Sequence, residues 1–283
     1  MKIYHCITVS FFLIVACAIA RSPRAKKIIT PSNQEKSTVF FDLTNVVMKE
    51  NQVGFAKKIG YGILASYAVT HWKSPGYRCL DMLHAMSNHE SQKPHITISL
   101  KNRTMPRCLV ELQEGKKTCA QAKDEIVQGI EHLDAQKFFG SCKEKSLMTN
   151  IMILILDPEA VACVIEPIKP TIQLIDKLKS AGHRIGLVAN VPKELWATAQ
   201  NKFPDIIKRF DIIVVSSQVK MVKPEISIFN HLISTHNLNP ANCILIDDLE
   251  ESAAAARSLG MEAIVFDKIS HVTKKLKQCG VKI

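Results

Sequence analysis

The sequence predicts an α/β fold in which a doubly wound parallel sheet carries an inserted α-helical cap. Short apolar runs alternate with helix-like segments from residue 169 onward, a pattern typical of parallel sheets. One further strand-like run, Thr38–Phe41, lies far upstream of the others. Residues 49–168, between the two regions, mostly show the apolar spacing of helices. We therefore expect a helical insertion directly after the first strand.

The elements are expected in a regular order along the chain. Within the cap, helix-like spacing covers Phe55–Thr70, Arg78–Ser87 and Cys119–Leu133. Later strands are predicted at Arg184–Ala189, Ile212–Ser216, Cys243–Ile246 and Ala263–Val265. The helices of the sheet region are predicted at Ile172–Ala181, Lys193–Lys202, Ile226–His236 and Glu251–Leu259. Right-handed crossovers would place the strand ends at one edge, where a ligand site is expected.

The first twenty residues have the pattern of a secretory signal peptide. A weakly basic start precedes the apolar run Ile7–Val15, and Ala18–Ala20 forms a small-x-small cleavage site. We expect export, to the periplasm or the medium, after cleavage near Ala20. A lipobox-like segment before Cys17 leaves a lipid anchor on that cysteine as the alternative. No transmembrane span is expected in the mature chain, because the apolar run Ile151–Leu156 is too short.

The remaining residues divide into three predicted regions. Residues 21–37 are polar and basic and are interpreted as a linker. Residues 38–48 and 169–283 are assigned to the α/β core, and residues 49–168 to the cap.

The charge balance favours an anionic ligand. The net charge is +11 and the isoelectric point is near 9.2, so a small anionic or phosphorylated substrate would be attracted. No basic stripe interleaved with aromatic residues appears, so the nucleic-acid signal is weak. An ordinary solvated basic surface explains the same composition, and nothing in the sequence indicates an oligomeric state.

Seven of the nine cysteines follow the signal segment, and none has the spacing of a zinc site. Export would permit a disulfide among Cys108, Cys119 and Cys142, which lie close in sequence. Because the number is odd, at least one thiol stays free or pairs outside the chain.

The first predicted strand ends in a single acidic residue. Val39–Phe41 is apolar, and Asp42 follows where a buried strand would open into a loop. Such a position presents a nucleophilic carboxylate to a ligand at the carboxyl edge of a sheet.

Three later segments accompany this one in a fixed order. The four segments are Phe41-Asp42-Leu43-Thr44, Ile185-Gly186-Leu187-Val188-Ala189-Asn190, Val222-Lys223-Pro224-Glu225-Ile226-Ser227-Ile228-Phe229 and Ile244-Leu245-Ile246-Asp247-Asp248. Together they resemble the motifs of the haloacid dehalogenase-like hydrolase superfamily, in the subgroup with a helical cap inserted after the first motif. The resemblance covers about residues 38–270 and implies a Rossmann-like core.

The resemblance implies a role for each polar residue of these segments. Asp42 would attack phosphorus and form an aspartyl-phosphate, and Lys223 would neutralise charge on the nucleophile and the phosphoryl group. Mg²⁺ would be held by Asp42, by the backbone carbonyl of Thr44 and by Asp248, with Asp247 beside them or acting through water. Asn190 would contribute an amide to substrate binding.

Four residues depart from the pattern of the family. Asn45 stands in place of the usual glycine after the acid, and Glu251 stands where the family often has asparagine. The other two bear directly on the chemistry. Thr44 stands where an aspartate normally transfers protons, a role worth on the order of a hundred- to ten-thousand-fold in rate. Ala189 stands where a hydroxyl normally binds the phosphoryl group. Three functions stay open at this point: a phosphate-ester hydrolase of weak activity, a catalytically impaired binding protein, and a 2-haloacid dehalogenase.

Overall fold

The computed structural model describes residues 37–70, 75–87 and 107–283. The predicted signal peptide, the cleavage site near Ala20, the lipidation site at Cys17 and nearly all of the linker lie outside the described residues.

A five-stranded parallel sheet forms the centre of the protein and confirms the predicted fold class. Its strands are β1 (Thr38–Phe41), β4 (Arg184–Ala189), β5 (Ile212–Val215), β6 (Cys243–Asp247) and β7 (Glu262–Val265). They are ordered β5-β4-β1-β6-β7, so β1 is the central strand and pairs with both β4 and β6. The carboxyl ends of these three strands therefore lie side by side.

The central strand is apolar along its whole length because both faces of the sheet are covered. Val39 and Phe41 pack into one hydrophobic cluster, and Phe40 packs into another on the opposite face. This burial explains why a parallel strand appears in the sequence as an unbroken apolar run. Gly186 on β4 faces Phe40, and a Cβ at Gly186 would lie 2.2 Å from the phenyl ring.

Among the described residues, seven helices between Gln52 and Val164 build the inserted region. They are α1 (Gln52–Ile59), α2 (Tyr61–Thr70), α3 (Pro75–Ser87), α4 (Arg107–Gln113), α5 (Cys119–Ala135), α6 (Cys142–Ile155) and α7 (Pro158–Val164). A hydrophobic cluster of their own lies between them and includes Leu147, Ile151 and Met152.

The helices of the sheet region follow in chain order. They are α8 (Lys169–Ser180), α9 (Lys193–Lys202), α10 (Pro204–Ile207), α11 (Ser216–Val219), α12 (Ile226–Thr235), α13 (Glu250–Ser258) and α14 (Ile269–Gln278).

A short antiparallel ribbon joins the inserted helices to the sheet region. Strand β2 (Met48–Glu50) pairs with β3 (Ile165–Pro167), so the chain leaves and re-enters the core at adjacent points. Neither strand was expected from the sequence, since three residues are too few to show an alternating pattern. The division of the chain into core and cap at the residues given above stays a prediction.

Several expected elements have different bounds in the structure. The helix predicted over Phe55–Thr70 is interrupted at Gly60, where φ is +101° and the chain turns. The strand predicted to reach Ser216 ends at Val215, because Ser216 begins the short helix α11. The apolar run Ile151–Leu156 covers the last turn of helix α6 and the residue after it. The sequence did not indicate how long this helix is.

The seven cysteines of the described region are free thiols, so the disulfide considered among Cys108, Cys119 and Cys142 is not formed. Burial raises the pKa of the Cys108 thiol to about 11 and that of the Cys119 thiol to about 12. Among the described helices, none is by itself long and apolar enough to cross a membrane, and α6 and α7 reach such a length only as a pair bent by 92°.

Candidate functional site

The polar residues of the four segments meet at the carboxyl edge of the sheet. Asp42 follows β1, Asn190 follows β4, Asp247 is the last residue of β6, and Asp248 follows it. Asp42 is fixed by its backbone N–H, which donates to the carbonyl of Ile246 on the neighbouring strand at 2.9 Å. The observed strand order therefore brings residues from distant segments into one site.

Lys223 lies at the centre of this site and is almost fully buried. Its ammonium group donates to Asp42 Oδ1 at 2.8 Å and to Asp247 Oδ2 at 2.5 Å. Burial alone would lower the pKa of Lys223, but the carboxylates of Asp247 and Asp42 outweigh burial and raise it. Lys223 is therefore a fixed positive charge between two acidic groups.

Asn190 holds the backbone of Lys223. Its Nδ2 donates to the Lys223 carbonyl at 2.9 Å, and its Oδ1 accepts from the Lys223 N–H at 2.8 Å. Both ends of the amide are thus engaged, which leaves one N–H of Nδ2 for any contact with substrate. In this structure Asn190 acts first as the residue that positions Lys223.

Three carboxylates converge on one point. One oxygen each of Asp42, Asp247 and Asp248 lies within 4.8 Å of the others. Burial, followed by the charge of Asp42 and Asp247, raises the pKa of Asp248 to about 8. Burial also raises the pKa of Asp42 to about 6, against the opposing effect of Lys223. Oxygen ligands crowded in this way fit a hard divalent cation, which would relieve their repulsion.

Asn45 is a site residue whose role the sequence did not reveal. Its φ of +59° lies in the left-handed region, which asparagine tolerates better than most residues. This turn directs Nδ2 to Asp248 Oδ2 at 2.9 Å. Position 45 was recognised only as a departure from the usual glycine.

The substituted positions 44 and 189 both lie at this edge of the sheet. Thr44 is half-buried at the start of a cavity, and Ala189 is the fully buried last residue of β4. Neither side chain can take up or release a proton in the ordinary pH range. Asp42 thus has no carboxylate two residues along the chain to assist it.

A cavity of about 120 Å³ extends from Thr44 between the sheet edge and the inserted helices. Its described lining is Leu43, Thr44, Met48, Leu109, Leu112, Gln113, Ile155, Leu156, Pro158, Val161, Ala162, Ile165, Asn190, Val191, Pro192, Leu195 and Ala199. Within this described lining, no side chain is charged, and most are aliphatic.

Ser216 ties the inserted helices to this edge of the sheet. Its hydroxyl donates to the carbonyl of Gln113 on α4 at 2.6 Å and accepts from the Val191 N–H at 3.0 Å. Lys220 adds a second tie, since its Nζ donates to the Gly115 carbonyl at 2.8 Å. The sequence pointed to neither Ser216 nor Gln113, because neither belongs to a recognisable motif.

The fold and the site together define a class of protein with a doubly wound parallel sheet, an acidic residue after the first strand and a lysine facing that residue. A family model described as haloacid dehalogenase-like hydrolase matches residues 101–266, more than half of the chain. The chain belongs to the haloacid dehalogenase-like hydrolase family, as the motifs predicted. The matched range includes Asn190, Lys223, Asp247 and Asp248, whereas Asp42 precedes it.

Curated relatives match a limited part of the chain. Bifunctional epoxide hydrolase 2 of Mus musculus is 26% identical over 117 residues, which are 39% of this chain and 20% of that protein. Acyl-CoA dehydrogenase family member 10 of Mus musculus is 27% identical over 105 residues, 37% of this chain and 10% of the relative. The matched region thus spans a fifth or less of the length of these relatives.

Solved structures share the fold over most of the chain. A haloacid dehalogenase family enzyme from Bacteroides thetaiotaomicron superposes with a TM-score of 0.51 at 18% identity, covering 85% of this chain and 99% of that one. A structure described as a dehalogenase has a TM-score of 0.52 at 11% identity, covering 89% and 100%. These similarities establish the fold.

Proposed function

We propose that the protein hydrolyses a small phosphate ester with Asp42 as the nucleophile and Mg²⁺ as the cofactor. The convergence of the Asp42, Asp247 and Asp248 carboxylates around Lys223 carries this proposal. A phosphoryl group is the ligand that an ammonium ion and a carboxylate-held cation would bind together. The basic net charge of the chain would favour the approach of such an anion.

The side chains distribute the chemistry as follows. Lys223 holds Asp42 Oδ1, so Oδ2 is the oxygen that attacks phosphorus. The P–O bond to the alcohol breaks as the new P–O bond to Asp42 forms, and water later cleaves the aspartyl-phosphate to inorganic phosphate. Asp42, Asp248 and the Thr44 carbonyl would hold Mg²⁺, with Asp247 beside them, and the ion would supply positive charge against the phosphoryl oxygens.

The proton transfers are the weak part of this mechanism. The departing alkoxide needs a proton, and the attacking water must lose one, but Thr44 offers only a hydroxyl. We therefore expect turnover well below that of an enzyme with a carboxylate at this position.

Hydrolysis of a panel of small phosphate esters with and without magnesium tests the proposal. We expect slow, magnesium-dependent phosphate release that Asp42→Asn abolishes, since the amide cannot act as the nucleophile. The same panel includes a 2-haloacid, because the apolar cavity and the absence of an acid at position 44 also favour dehalogenation. Chloride release without phosphate release would replace the proposal by that activity.

A catalytically impaired binding protein is the second candidate, and Thr44 with Ala189 favours it. The carboxylate usual at position 44 and the hydroxyl usual at position 189 are missing, while the lysine and the carboxylate cluster remain. Thr44→Asp combined with Ala189→Ser would then create or sharply raise phosphatase activity, by about a hundredfold or more. Fast hydrolysis by the unaltered protein would exclude this candidate.

Export after cleavage near Ala20 is proposed for the mature protein. The first residue and the mass of the protein recovered from the native source distinguish this cleavage from lipidation at Cys17, which adds acyl mass to that residue.

A further inference from the structure

The oxygen that leaves the substrate meets no proton donor among the described residues of the cavity. Attack by Asp42 in line with the breaking bond places that oxygen on the far side of phosphorus. The cavity extends in that direction, beyond the sheet edge, and starts at Leu43 and Thr44. Thr44 offers only a hydroxyl, and none of the other described side chains that line the cavity can give up a proton in the ordinary pH range.

The charged groups of the site are already engaged elsewhere. Lys223 donates to Asp42 Oδ1 and to Asp247 Oδ2. The carboxylates of Asp42, Asp247 and Asp248 converge on one point and would be deprotonated while they hold a cation. None of these four residues belongs to the described lining of the cavity. The leaving oxygen therefore departs as an anion.

The basicity of that oxygen then decides how fast it leaves. An alkoxide is a strong base, comparable to the hydroxide formed from water, whose pKa is about 15.7. A phenolate is a far weaker base, since the phenol of a tyrosine side chain has a pKa of about 10. A phenolic oxygen can thus leave without a proton, whereas an alkoxide depends on an acid worth roughly a hundred- to ten-thousand-fold in rate.

The cavity sets the polarity of the group attached to the leaving oxygen. Its walls are mostly aliphatic, with residues such as Leu156, Val161 and Leu195, and no charged side chain of the described residues lines it. A sugar or another polyol would lose hydrogen bonds to water against these walls, whereas an apolar group is stabilised there. Because the cavity is partly open to solvent, it selects by polarity and not by length.

We propose that the substrate is an aryl phosphate, an ester whose apolar leaving group departs as a weakly basic anion. This inference rests on the proposed phosphatase function and adds the class of the leaving group. The P–O bond to Asp42 forms as the P–O bond to the aryl oxygen breaks. The aryl oxygen keeps the bonding electron pair and leaves as a phenolate, which takes up a proton from bulk water. The ring lies against the aliphatic walls of the cavity.

Phenyl phosphate and benzyl phosphate test the leaving group, because both carry one apolar ring and differ in the basicity of the leaving oxygen. We expect kcat/KM in the presence of magnesium to be about a hundredfold or more higher for phenyl phosphate. This ratio excludes the later hydrolysis of the aspartyl-phosphate, which is the same for both esters. Equal values would overturn the inference and leave the phosphatase proposal standing, whereas no hydrolysis of any phosphate ester would overturn both.

Two substitutions of Thr44 separate proton transfer from a change of shape. Thr44→Asp supplies a proton donor, so kcat/KM for benzyl phosphate should rise about a hundredfold or more while that for phenyl phosphate changes little. Thr44→Asn introduces a side chain of nearly the same size without an acidic proton and should keep the wild-type ratio of the two esters. An equal change of the ratio in both variants would contradict the assignment of the leaving group.

Phosphonates, which cannot lose their carbon group, test the apolar cavity without catalysis. We expect the wild type to bind phenyl phosphonate about tenfold more tightly than 2-hydroxyethyl phosphonate in calorimetric titrations. Leu195→Gln makes the cavity wall polar and should weaken the binding of phenyl phosphonate about fivefold. Leu259→Gln, at another half-buried leucine outside the described lining, should leave it unchanged. Equal affinity of the wild type for both phosphonates would overturn the assignment of an apolar leaving group.

Discussion

Single residues decide how this member of the family differs from an efficient hydrolase. Lys223 donates one hydrogen bond to Asp42 and another to Asp247, so the carboxylate of the proposed nucleophile Asp42 is held in one orientation. Thr44, two residues further along the chain, supplies no carboxylate. Under the proposed mechanism, the site has the groups for binding and attack but lacks the group that would make both proton transfers fast.

Asn45 orients the carboxylate of Asp248 and should influence cation affinity. Removing the amide with Asn45→Gly keeps the left-handed backbone and deletes the hydrogen bond to Asp248. Loss of a residue that orients a ligand commonly weakens metal binding about tenfold or more. We expect this loss in magnesium titrations followed by calorimetry. Asn237→Gly, at another left-handed asparagine that is exposed, is the matched control and should leave the titration unchanged.

Protons and magnesium should compete for the carboxylates. The pKa values of Asp42 and Asp248 are raised to about 6 and about 8, so between pH 4 and 8 the folded protein holds more protons than the unfolded chain. The stability of the metal-free protein therefore falls as pH rises through this range. Added Mg²⁺ should raise Tm more at about pH 8 than at about pH 5, because its ligands must be deprotonated. In Asp248→Asn, the rise in Tm caused by Mg²⁺ at pH 8 should exceed the rise at pH 5 by less than it does in the wild type. An equal rise in Tm at both pH values in the wild type would contradict this linkage.

At the scale of secondary-structure elements, the central sheet depends on a close approach of two strands. Gly186 of β4 lies under the fully buried ring of Phe40 on β1, where a methyl group has no space. We expect Gly186→Ala to lower the free energy of unfolding by about 2–3 kcal/mol, measured by chemical denaturation. Gly62→Ala, at an exposed helical position with open space, should be neutral or stabilising by less than about 1 kcal/mol. Similar effects of both substitutions would rule out the steric explanation.

The strands were predictable from the sequence because they are buried on both faces. Val39, Phe40 and Phe41 point alternately to two cores, so every residue of the strand is apolar and the run ends sharply at Asp42. The ribbon strands are three residues long and partly exposed, so no pattern distinguishes them from a loop. Helix α14 was missed because its apolar residues, such as Val272 and Leu276, are separated by lysines that also fit a charged tail.

The contacts between segments could not be predicted in the same way. The hydrogen bond from Asn45 to Asp248 joins residues 203 positions apart, and that from Ser216 to Gln113 joins residues 103 apart. The motifs identified the polar residues that follow the strands. These residues meet because their strands are neighbours in the sheet. The cavity forms where α4, α6 and α7 pack against the edge of the sheet, and no local pattern in the sequence indicates this packing.

At the scale of the whole molecule, a few hydrogen bonds hold the inserted helices over the site. Ser216 binds the end of α4 and the loop after β4 with a single hydroxyl. Ser216→Ala would leave two buried backbone groups unpaired, so we expect a loss of about 1–3 kcal/mol in unfolding free energy together with weaker substrate binding. Thermal unfolding and KM measure the two effects. Ser258→Ala, which removes an exposed hydroxyl bonded within α13, is the control, and an equal effect there would argue against a special role for Ser216.

The ribbon of β2 and β3 has a consequence for how such a protein can diversify. Because the two strands pair, the whole inserted region begins and ends at neighbouring points, as a hairpin loop would. An insertion with adjacent ends can be lengthened, shortened or exchanged with little change in chain-closure entropy. Residues of the cavity that lie on the inserted helices, such as Leu112 and Val161, can then vary, while Asp42, Lys223 and Asp247 keep their geometry on the sheet. New substrate preferences can therefore arise by exchange of the inserted region alone, while the residues at the carboxyl edge of the sheet stay unchanged.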